Sequence, residues 1–273
     1  MRESGGIHEK AALGFSSSVE AYERGRPGYS ESALTFIRKS ICDLTESVTA
    51  KVGTIGTERR PKVLDLAAGT GKFTSLVNEP TSWDLFAVEP IDEMRERLHQ
   101  KLPSVGAVSG TAEKIPFDDH FFDVVTVAQA FHWFNYEVAV QEIARVLRPG
   151  GRLILIWNLR DETGASWVSR ISEILDRYEG GVPRFKSMRW KSGFQQNSSP
   201  LTELVHRTFD FEQVGDLETM RDRVASISFI ASLPIDERNS ALSEMEKIFR
   251  SAMNAEGAIC MPYRTHVFVY NSN

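Results

Sequence analysis

The sequence contains very little cysteine. Only Cys42 and Cys260 occur in 273 residues, far apart and without metal-ligand spacing around either. Secreted disulfide-rich domains and structural zinc sites both require several cysteines at short intervals. We therefore expect two reduced thiols, no metal site and a cytoplasmic protein.

Long apolar runs and an excess of positive charge are also missing. No stretch reaches the roughly 18 apolar residues of a membrane span, and residues 1–10 lack the apolar centre of a signal peptide. Acidic residues outnumber basic ones, 37 to 32, for a net charge of −5. This balance argues against a general nucleic-acid or anionic-membrane binder. The 41% apolar content suffices for one sizeable core, and we expect a monomer.

The chain is organised around residues 61–74, PKVLDLAAGTGKFT. Residues 63–66 predict a short buried strand that runs into a glycine turn and then a helix. Gly69 and Gly71 allow a sharp turn and let backbone N–H groups approach a ligand closely. Asp65 lies near the end of the strand. The pattern predicts a nucleotide-type cofactor site.

Two cofactors fit a turn of this kind. The dinucleotide fingerprint G-x-G-x-x-G needs a third glycine, whereas this sequence has Thr74, and Asp65 would disfavour a pyrophosphate but attract an ammonium or sulfonium group. Glu89 ends the next predicted strand, eighteen residues after Gly71, where a carboxylate can accept both ribose hydroxyl protons. Glu89 alone supports a nucleoside without choosing between NAD and S-adenosylmethionine. A purely structural glutamate at this strand end is the alternative.

The combination resembles motif I of the class I S-adenosylmethionine-dependent methyltransferases, with Ala67 where many members carry the first glycine. Residues 128–135, AQAFHWFN, are similar to the A-Q-A-F-H-W-F-D pattern of a small-molecule group that includes the trans-aconitate methyltransferases. A predicted helix, then residues 148–151 (RPGG) and an apolar strand complete the likeness. The resemblance covers about residues 11–158.

The resemblance implies an α/β fold over residues 1–273: a Rossmann-like sheet, mostly parallel, with helices on both faces. The cofactor-binding core would span residues 11–158 and a helical lid residues 159–262. The last strand, residues 263–271, would insert antiparallel between two others. The implied cofactor is S-adenosylmethionine, with S-adenosylhomocysteine as product.

Several residues take cofactor roles by this resemblance. Tyr22 would cover the cofactor and Arg26 would lie near its carboxylate, although Tyr22 packing on the next helix remains an alternative. Ala112 and Glu113 would approach the adenine edge, and Pro90 would offer it an apolar surface. The predicted cofactor residues are Tyr22, Arg26, Asp65, Ala67, Gly69, Gly71, Glu89, Pro90, Ala112, Glu113, Ala128 and Gln129.

The methyl acceptor is less well defined by the sequence. His132 is a candidate general base because its ordinary pKa is suitable, and a wall residue is the alternative. A carboxylate acceptor needs no base, and arginines would then neutralise it, with Arg184, Arg189 and Arg264 as candidates. Residues 180–200 suggest a mobile basic and aromatic insertion. The predicted substrate residues are His132, Trp133 and Arg189.

The sequence thus predicts a small-molecule methyltransferase, with O-methylation of a carboxylic acid as one hypothesis. C-methylation of a quinone or sterol-like lipid is an alternative, and so is a protein that binds S-adenosylmethionine without catalysis. An NAD-dependent dehydrogenase is disfavoured by the missing third glycine and by the aromatic run at 128–135.

Overall fold

The computed structural model describes residues 25–52, 59–78, 82–195 and 199–273. Tyr22, a predicted cofactor residue, lies outside these ranges. So do residues 11–24, the first part of the stretch that resembles the methyltransferases.

One sheet runs through the molecule. Within the described residues its strands are β1 Lys62–Leu66, β2 Asp84–Val88, β3 Gly106–Val108, β4 Phe122–Ala128, β5 Leu147–Arg160, β6 Leu201–Gly215 and β7 Ile259–Ser272. Their order is β3-β2-β1-β4-β5-β7-β6. Strands β1 to β5 are mutually parallel, and β7 is antiparallel to both of its neighbours, β5 and β6. The predicted Rossmann-like sheet with an inserted antiparallel last strand is confirmed.

Helices connect the strands and build the lid. Over the same ranges they are α1 Glu31–Val52, α2 Lys72–Val77, α3 Asp92–Lys101, α4 Tyr136–Val146, α5 Ser166–Tyr178, α6 Leu217–Ala225, α7 Ser228–Ala231 and α8 Ile235–Ala252. Short 3₁₀ helices cover Phe131–Trp133, Phe185–Ser187 and Arg189–Phe194.

The central parallel strands β1, β4 and β5 are buried on both faces, whereas the edge strands β3 and β6 are largely exposed. Successive residues on a strand point to opposite faces, so neighbours belong to different cores. Val63 packs in the apolar cluster beside α1, whereas Leu64 packs in the cluster beside α4. Val124 and Val125 on β4 divide in the same way. A third cluster joins α5, α6 and α8 and forms the interior of the lid.

Some elements differ from their predicted bounds. Helix α1 continues to Val52, beyond the predicted end at residue 44. Residues 217–230, predicted as one helix, form α6 and α7, because Ile227 between them adopts an extended backbone (φ −72°, ψ 127°). The sequence predicts strands at residues 152–158 and 206–211, and both are longer in the structure. Strand β7 pairs with β5 as far as Arg160 and with β6 over Leu201–Gly215, and the start of β5 at Leu147 pairs with Phe122 of β4.

The insertion predicted at residues 180–200 is packed where the structure describes it. Trp190 is fully buried, and its ring centroid lies 4.7 Å from that of Trp157 on β5. Phe194 stacks on Tyr270 of β7 at 4.1 Å. These aromatic side chains fix the segment against the sheet, so the prediction of a mobile insertion is wrong for residues 180–195.

Candidate cofactor and acceptor site

A cavity of about 230 Å³ opens at the carboxyl ends of the parallel strands, beneath the lid. In open parallel sheets this edge is where ligands bind. A smaller cavity of about 60 Å³ adjoins it and shares several lining residues, among them Arg26, Gly69 and Asn158. Pro90, Ala112, Ala128 and Gln129, all predicted cofactor residues, line the larger cavity.

The turn after β1 adopts left-handed backbone conformations. Gly69 has φ 58° and Gly71 has φ 77°. Gly69 lines both cavities, but Gly71 lines neither. A Cβ at Gly71 would lie 2.8 Å from Leu98 Cγ, so this glycine lets the turn pack on α3. Ala67 also lies in this region, with φ 58°, where a side chain costs about 1 kcal/mol relative to glycine.

Glu89 follows β2 and faces the larger cavity while only 4% exposed. Its Oε2 accepts the Gly69 N–H at 2.8 Å, and its Oε1 accepts the Ile91 N–H at 3.0 Å. Burial raises the pKa of this carboxyl, and the two N–H donors oppose that shift. A carboxylate has about four acceptor positions, so Glu89 can still accept further hydrogen bonds from a ligand.

Asp65 is buried at the end of β1 and lines only the smaller cavity. Its oxygens accept hydrogen bonds from the Thr74 hydroxyl at 2.6 Å and the Thr126 hydroxyl at 3.2 Å. Burial raises the pKa of Asp65 to about 7. Thr70 is also buried against this cavity, and its hydroxyl has no hydrogen-bond partner among the described residues. The smaller cavity thus presents a carboxyl and an unsatisfied hydroxyl.

The segment at residues 25–29 lies against both cavities, with Arg26 lining both and Pro27 and Tyr29 lining the smaller one. The Arg26 guanidinium donates to the Ser226 carbonyl at 2.8 Å, and the Asn158 amide donates to the Gly28 carbonyl at 2.6 Å. A Cβ at Gly25 would lie 2.4 Å from backbone atoms of Asp222 and Arg223, so only glycine permits this approach to α6. Arg26, which is predicted to lie near the cofactor carboxylate, lines both cavities.

Glu113 lines the larger cavity as predicted for an adenine-edge residue, but it has a further contact. Its Oε1 accepts the backbone N–H of Asn135 at 2.8 Å, at the start of α4. Asn135 occupies the N-cap position of this helix, and its side chain makes no capping hydrogen bond. Glu113 therefore supplies an acceptor to the first turn of α4.

His132 lies on the wall of the larger cavity. Its Nδ1 accepts a hydrogen bond from the indole N–H of Trp157 at 3.1 Å. Burial, together with the positive charges of Arg184 and Arg26, lowers the pKa of His132 to about 3. The imidazole is therefore neutral at physiological pH. Trp133 next to it also lines the cavity, as predicted for a substrate residue.

Three arginines line the lid side of the larger cavity. Arg160 ends β5, Arg184 precedes the 3₁₀ helix Phe185–Ser187, and Arg223 belongs to α6. Arg160 Nε, Arg184 Nη1 and Arg223 Nη1 are buried without a hydrogen-bond partner in the described part of the chain. Burial lowers the pKa of Arg160 to about 10, and the charges of Arg223 and Arg184 add to the effect. The cluster is therefore poorly compensated.

The available partners confirm this imbalance. Arg223 is 6% exposed, and its Nε donates to the Tyr263 hydroxyl, not to a carboxylate. The Glu179 carboxylate lies 3.6 Å from Arg184 Nη1, which is beyond hydrogen-bond length. Glu162 also lines the cavity and attracts Arg160 and Arg184 electrostatically, but its close ion pair is with Lys186.

The other two predicted arginines lie elsewhere. Arg189 is exposed and does not line the cavity, because the buried Trp190 beside it turns the 3₁₀ segment so that position 189 faces solvent. Arg264 forms ion pairs with Asp161 at 2.9 Å and Asp210 at 3.0 Å on the surface of β7. Sequence analysis missed Arg160 and Arg223, since one ends a strand and the other belongs to an amphipathic helix. Only their place in the fold brings them together.

Over the described ranges, none of the helices has both the length and the apolar character needed to cross a bilayer. The same residues contain no group of three or more side chains suited to hold a metal ion.

Known proteins match this chain over most of its length. A family described as a methyltransferase domain matches residues 64–155. An uncharacterized methyltransferase of Mycobacterium tuberculosis is 35% identical over 256 residues, which cover 93% of each chain. Demethylmenaquinone methyltransferase of M. tuberculosis is 36% identical over 117 residues, 42% of this chain and 48% of that protein.

A solved structure agrees in fold. A protein assigned as a type II methyltransferase of Anaeromyxobacter dehalogenans superposes with a TM-score of 0.62 and 20% identity, covering 91% of this chain and 97% of that one. At this identity the likeness concerns the fold alone. Together with the match of the full-length relative, it shows that the chain belongs to the class I S-adenosylmethionine-dependent methyltransferases.

Proposed function

We propose that the protein methylates a small carboxylic acid on oxygen, with S-adenosylmethionine as methyl donor. The observation that carries this proposal is the cluster of Arg160, Arg184 and Arg223, whose buried nitrogens lack partners on the cavity wall. Unpaired buried charge is costly, and guanidinium groups bind carboxylates through paired, charge-assisted hydrogen bonds. A carboxylate acceptor would supply both the missing charge and the missing acceptor atoms.

The strand ends fit the cofactor that the family uses. Glu89 would accept the ribose hydroxyls, and Pro90 and Ala112 would lie along the adenine. Asp65 and the unsatisfied Thr70 hydroxyl would face the amino-acid end from the smaller cavity, with Arg26 nearby. The cofactor supplies a methyl group on a positively charged sulfur.

The remaining chemistry is positioning. A carboxylate is already a nucleophile in its ionised form, so no general base is required. Arg160, Arg184 and Arg223 would orient it, and the aromatic wall formed by His132 and Trp133 would exclude water. The depressed pKa of His132 agrees with this role, because the ring stays neutral near the arginines.

C-methylation of a quinone is the second candidate, favoured by the partial similarity to demethylmenaquinone methyltransferase. That likeness covers 42% of this chain. The arginine cluster opposes a neutral, apolar acceptor, since such an acceptor would leave its buried nitrogens without hydrogen-bond partners. A protein that binds the cofactor without turnover is the third possibility, and the same experiment separates all three.

The test is methyl transfer from labelled S-adenosylmethionine into an aqueous metabolite extract and, in parallel, into a quinone-containing lipid extract. We expect labelled products in the aqueous extract, with the mass of methyl esters, that mild alkali hydrolyses. Alkali-stable, carbon-bound label would contradict the carboxylic acid. Absence of transfer into either extract would indicate a binding protein.

A matched pair of variants tests the arginine cluster. Arg184→Gln removes a cavity-lining guanidinium, whereas Arg189→Gln removes an exposed one from the same segment. We expect the apparent KM for the acid to rise about 10- to 100-fold in Arg184→Gln, in line with one lost charge-assisted pair, and to change less than twofold in Arg189→Gln. Equal effects of the two variants would contradict the assignment.

A further inference from the structure

His132 receives a hydrogen bond from a residue deep in the core. Trp157 on β5 is 1% exposed, and its indole N–H donates to His132 Nδ1 at 3.1 Å. The indole ring is held by Trp190 at 4.7 Å and Phe185 at 5.0 Å between ring centroids, and Phe268 lies at 5.9 Å. With aromatic rings on several sides, Trp157 has little freedom to turn its N–H elsewhere.

This contact fixes the tautomer of the histidine. A neutral imidazole carries one proton, and a nitrogen that accepts a hydrogen bond cannot carry it. Since Nδ1 accepts from Trp157, the proton must be on Nε2. In the part of the chain that the structure describes, Nε2 makes no hydrogen bond, and it is not among the fully buried unpartnered atoms. The ring lines the larger cavity, so Nε2–H is available to a ligand there.

We propose that Trp157 is a positioning residue that holds His132 as a hydrogen-bond donor to an oxygen atom of the methyl acceptor. The indole N–H selects the Nε2–H form, and the same bond prevents the ring from acting as a general base. Proton abstraction by Nε2 would require the proton to sit on Nδ1, where it would point at the indole N–H. The identity of the receiving oxygen rests on the proposed function, whereas the tautomer does not.

The assignment explains the placement of a histidine beside cationic groups. Arg184 and Arg26 both act on His132 electrostatically and disfavour an imidazolium. A neutral Nε2–H adds a directional donor to the guanidinium groups without adding charge. The arginines would thus neutralise the charge of the acceptor, and the histidine would orient it through a directional hydrogen bond.

The tautomer is measured first, in the full-length protein labelled with ¹⁵N-histidine. Two-bond proton–nitrogen spectra at neutral pH distinguish Nε2–H from Nδ1–H imidazoles, and loss of the signal in His132→Gln assigns it. We expect His132 in the Nε2–H form, with a resonance pattern that does not change between pH 5 and 8. A proton on Nδ1 in the wild-type protein would overturn the proposal.

Variants then test the consequence. Trp157→Phe keeps an aromatic ring and removes the N–H donor, so we expect a mixture of His132 tautomers. The apparent KM for the acceptor should rise three- to tenfold. It is measured as the rate of methyl transfer from labelled cofactor at serial dilutions of the aqueous extract. Affinity for S-adenosylmethionine, measured by calorimetry, should change less than twofold. If a folded Trp157→Phe variant had the same apparent KM and the same His132 tautomer as the wild-type protein, the role of Trp157 would be overturned.

His132 variants cover the case in which Trp157→Phe does not fold. His132→Gln keeps a donor near the position of Nε2 but cannot take a proton, and we expect a loss of about fivefold in kcat/KM, against about 50-fold for His132→Ala. A general base would instead make Gln and Ala equally damaging, with losses of 100-fold or more. Failure of the proposed function would appear in the product, as alkali-stable label, and would leave the tautomer unchanged.

Discussion

The strand-end wall and the lid wall of the cavity satisfy their polar groups in different ways. On the strand-end wall, Glu89 accepts two backbone N–H groups and Asp65 accepts two threonine hydroxyls. On the lid wall, Arg160, Arg184 and Arg223 have buried nitrogens without partners in the described residues. The carboxylates of the first wall are therefore satisfied within the protein, whereas the second wall leaves hydrogen-bond donors open. Substitutions should separate the two: loss of Glu89 lowers stability and cofactor affinity together, whereas loss of an arginine from the lid wall raises stability and weakens acceptor binding.

The largest effect is expected at Glu89. Glu89→Ala removes the carboxylate proposed to bind the ribose and leaves the N–H groups of Gly69 and Ile91 without acceptors, at about 1 to 3 kcal/mol for each buried donor. We expect affinity for S-adenosylmethionine to fall about 100-fold and the free energy of unfolding to fall by about 3 kcal/mol. Calorimetry and urea unfolding measure the two quantities.

Glu113→Ala is the matched control on the same cavity. Glu113 accepts one backbone N–H, at the start of α4, so we expect a loss of about 1 kcal/mol in stability. Its effect on cofactor affinity should remain below tenfold. A folded Glu89→Ala protein with unchanged affinity would refute the ribose assignment, and a larger effect at Glu113 would reverse the order of the two carboxylates.

The fold was predictable because its signals are local and repeated. Apolar strands that alternate with amphipathic helices specify a parallel sheet, and the β-branched and aromatic residues near the C-terminus specify a further strand. The break between α6 and α7 was not predictable in this way. Ser226 and Ile227 carry no strong helix-breaking signal, and the extended Ile227 is stabilised by packing in the lid interior.

The cavity lining was predictable only where its residues belong to short sequence motifs. Gly69 and Glu89 belong to short motifs with fixed spacing, and both line the larger cavity. Arg160 and Arg223 come from a strand end and a helix 63 residues apart, and no spacing rule joins them. The Trp157–His132 bond links residues on β5 and the loop after β4, and it follows from strand register that only the sheet supplies.

A second test of the strand-end wall uses pH. Burial raises the pKa of Asp65 to about 7, above the value near 4 in the unfolded chain, so the folded state binds the extra proton between these limits. Stability should therefore fall as pH rises from 4 to 7, by at most about 1.4 kcal/mol per pH unit from this group. Asp65→Asn should remove that slope and raise stability at pH 7.5 by about 2 kcal/mol.

The comparison of wild type and Asp65→Asn isolates this group, because the other carboxyls titrate in both proteins. Urea unfolding at half-unit pH intervals supplies the curve. Cofactor affinity of Asp65→Asn at pH 7.5 should fall, since the variant loses the carboxyl predicted to face the amino-acid end. Parallel stability curves for the two proteins would rule out the raised pKa.

On the lid wall we expect a gain in stability to accompany a loss of acceptor binding. Arg160→Met removes a buried charge that two neighbouring arginines repel, and it keeps the aliphatic part of the side chain. The free energy of unfolding should rise by about 1 kcal/mol while the apparent KM for the acid acceptor rises about tenfold. Thermal and urea unfolding with the extract assay test this, and a loss of stability would mean that the lid wall is already compensated without a ligand.

The smallest effect is expected at the turn that joins β1 to α2. Ala67 has φ 58°, a conformation in which a Cβ is unfavourable, so Ala67→Gly should relieve strain and raise the free energy of unfolding by somewhat less than about 1 kcal/mol. Ala68, the next residue, has no positive φ, and Ala68→Gly should lower stability by about 0.5 to 1 kcal/mol. Urea unfolding of the two variants measures the difference. If Ala67→Gly and Ala68→Gly lowered stability equally, the left-handed conformation of Ala67 would not be a source of strain in the strand-end wall.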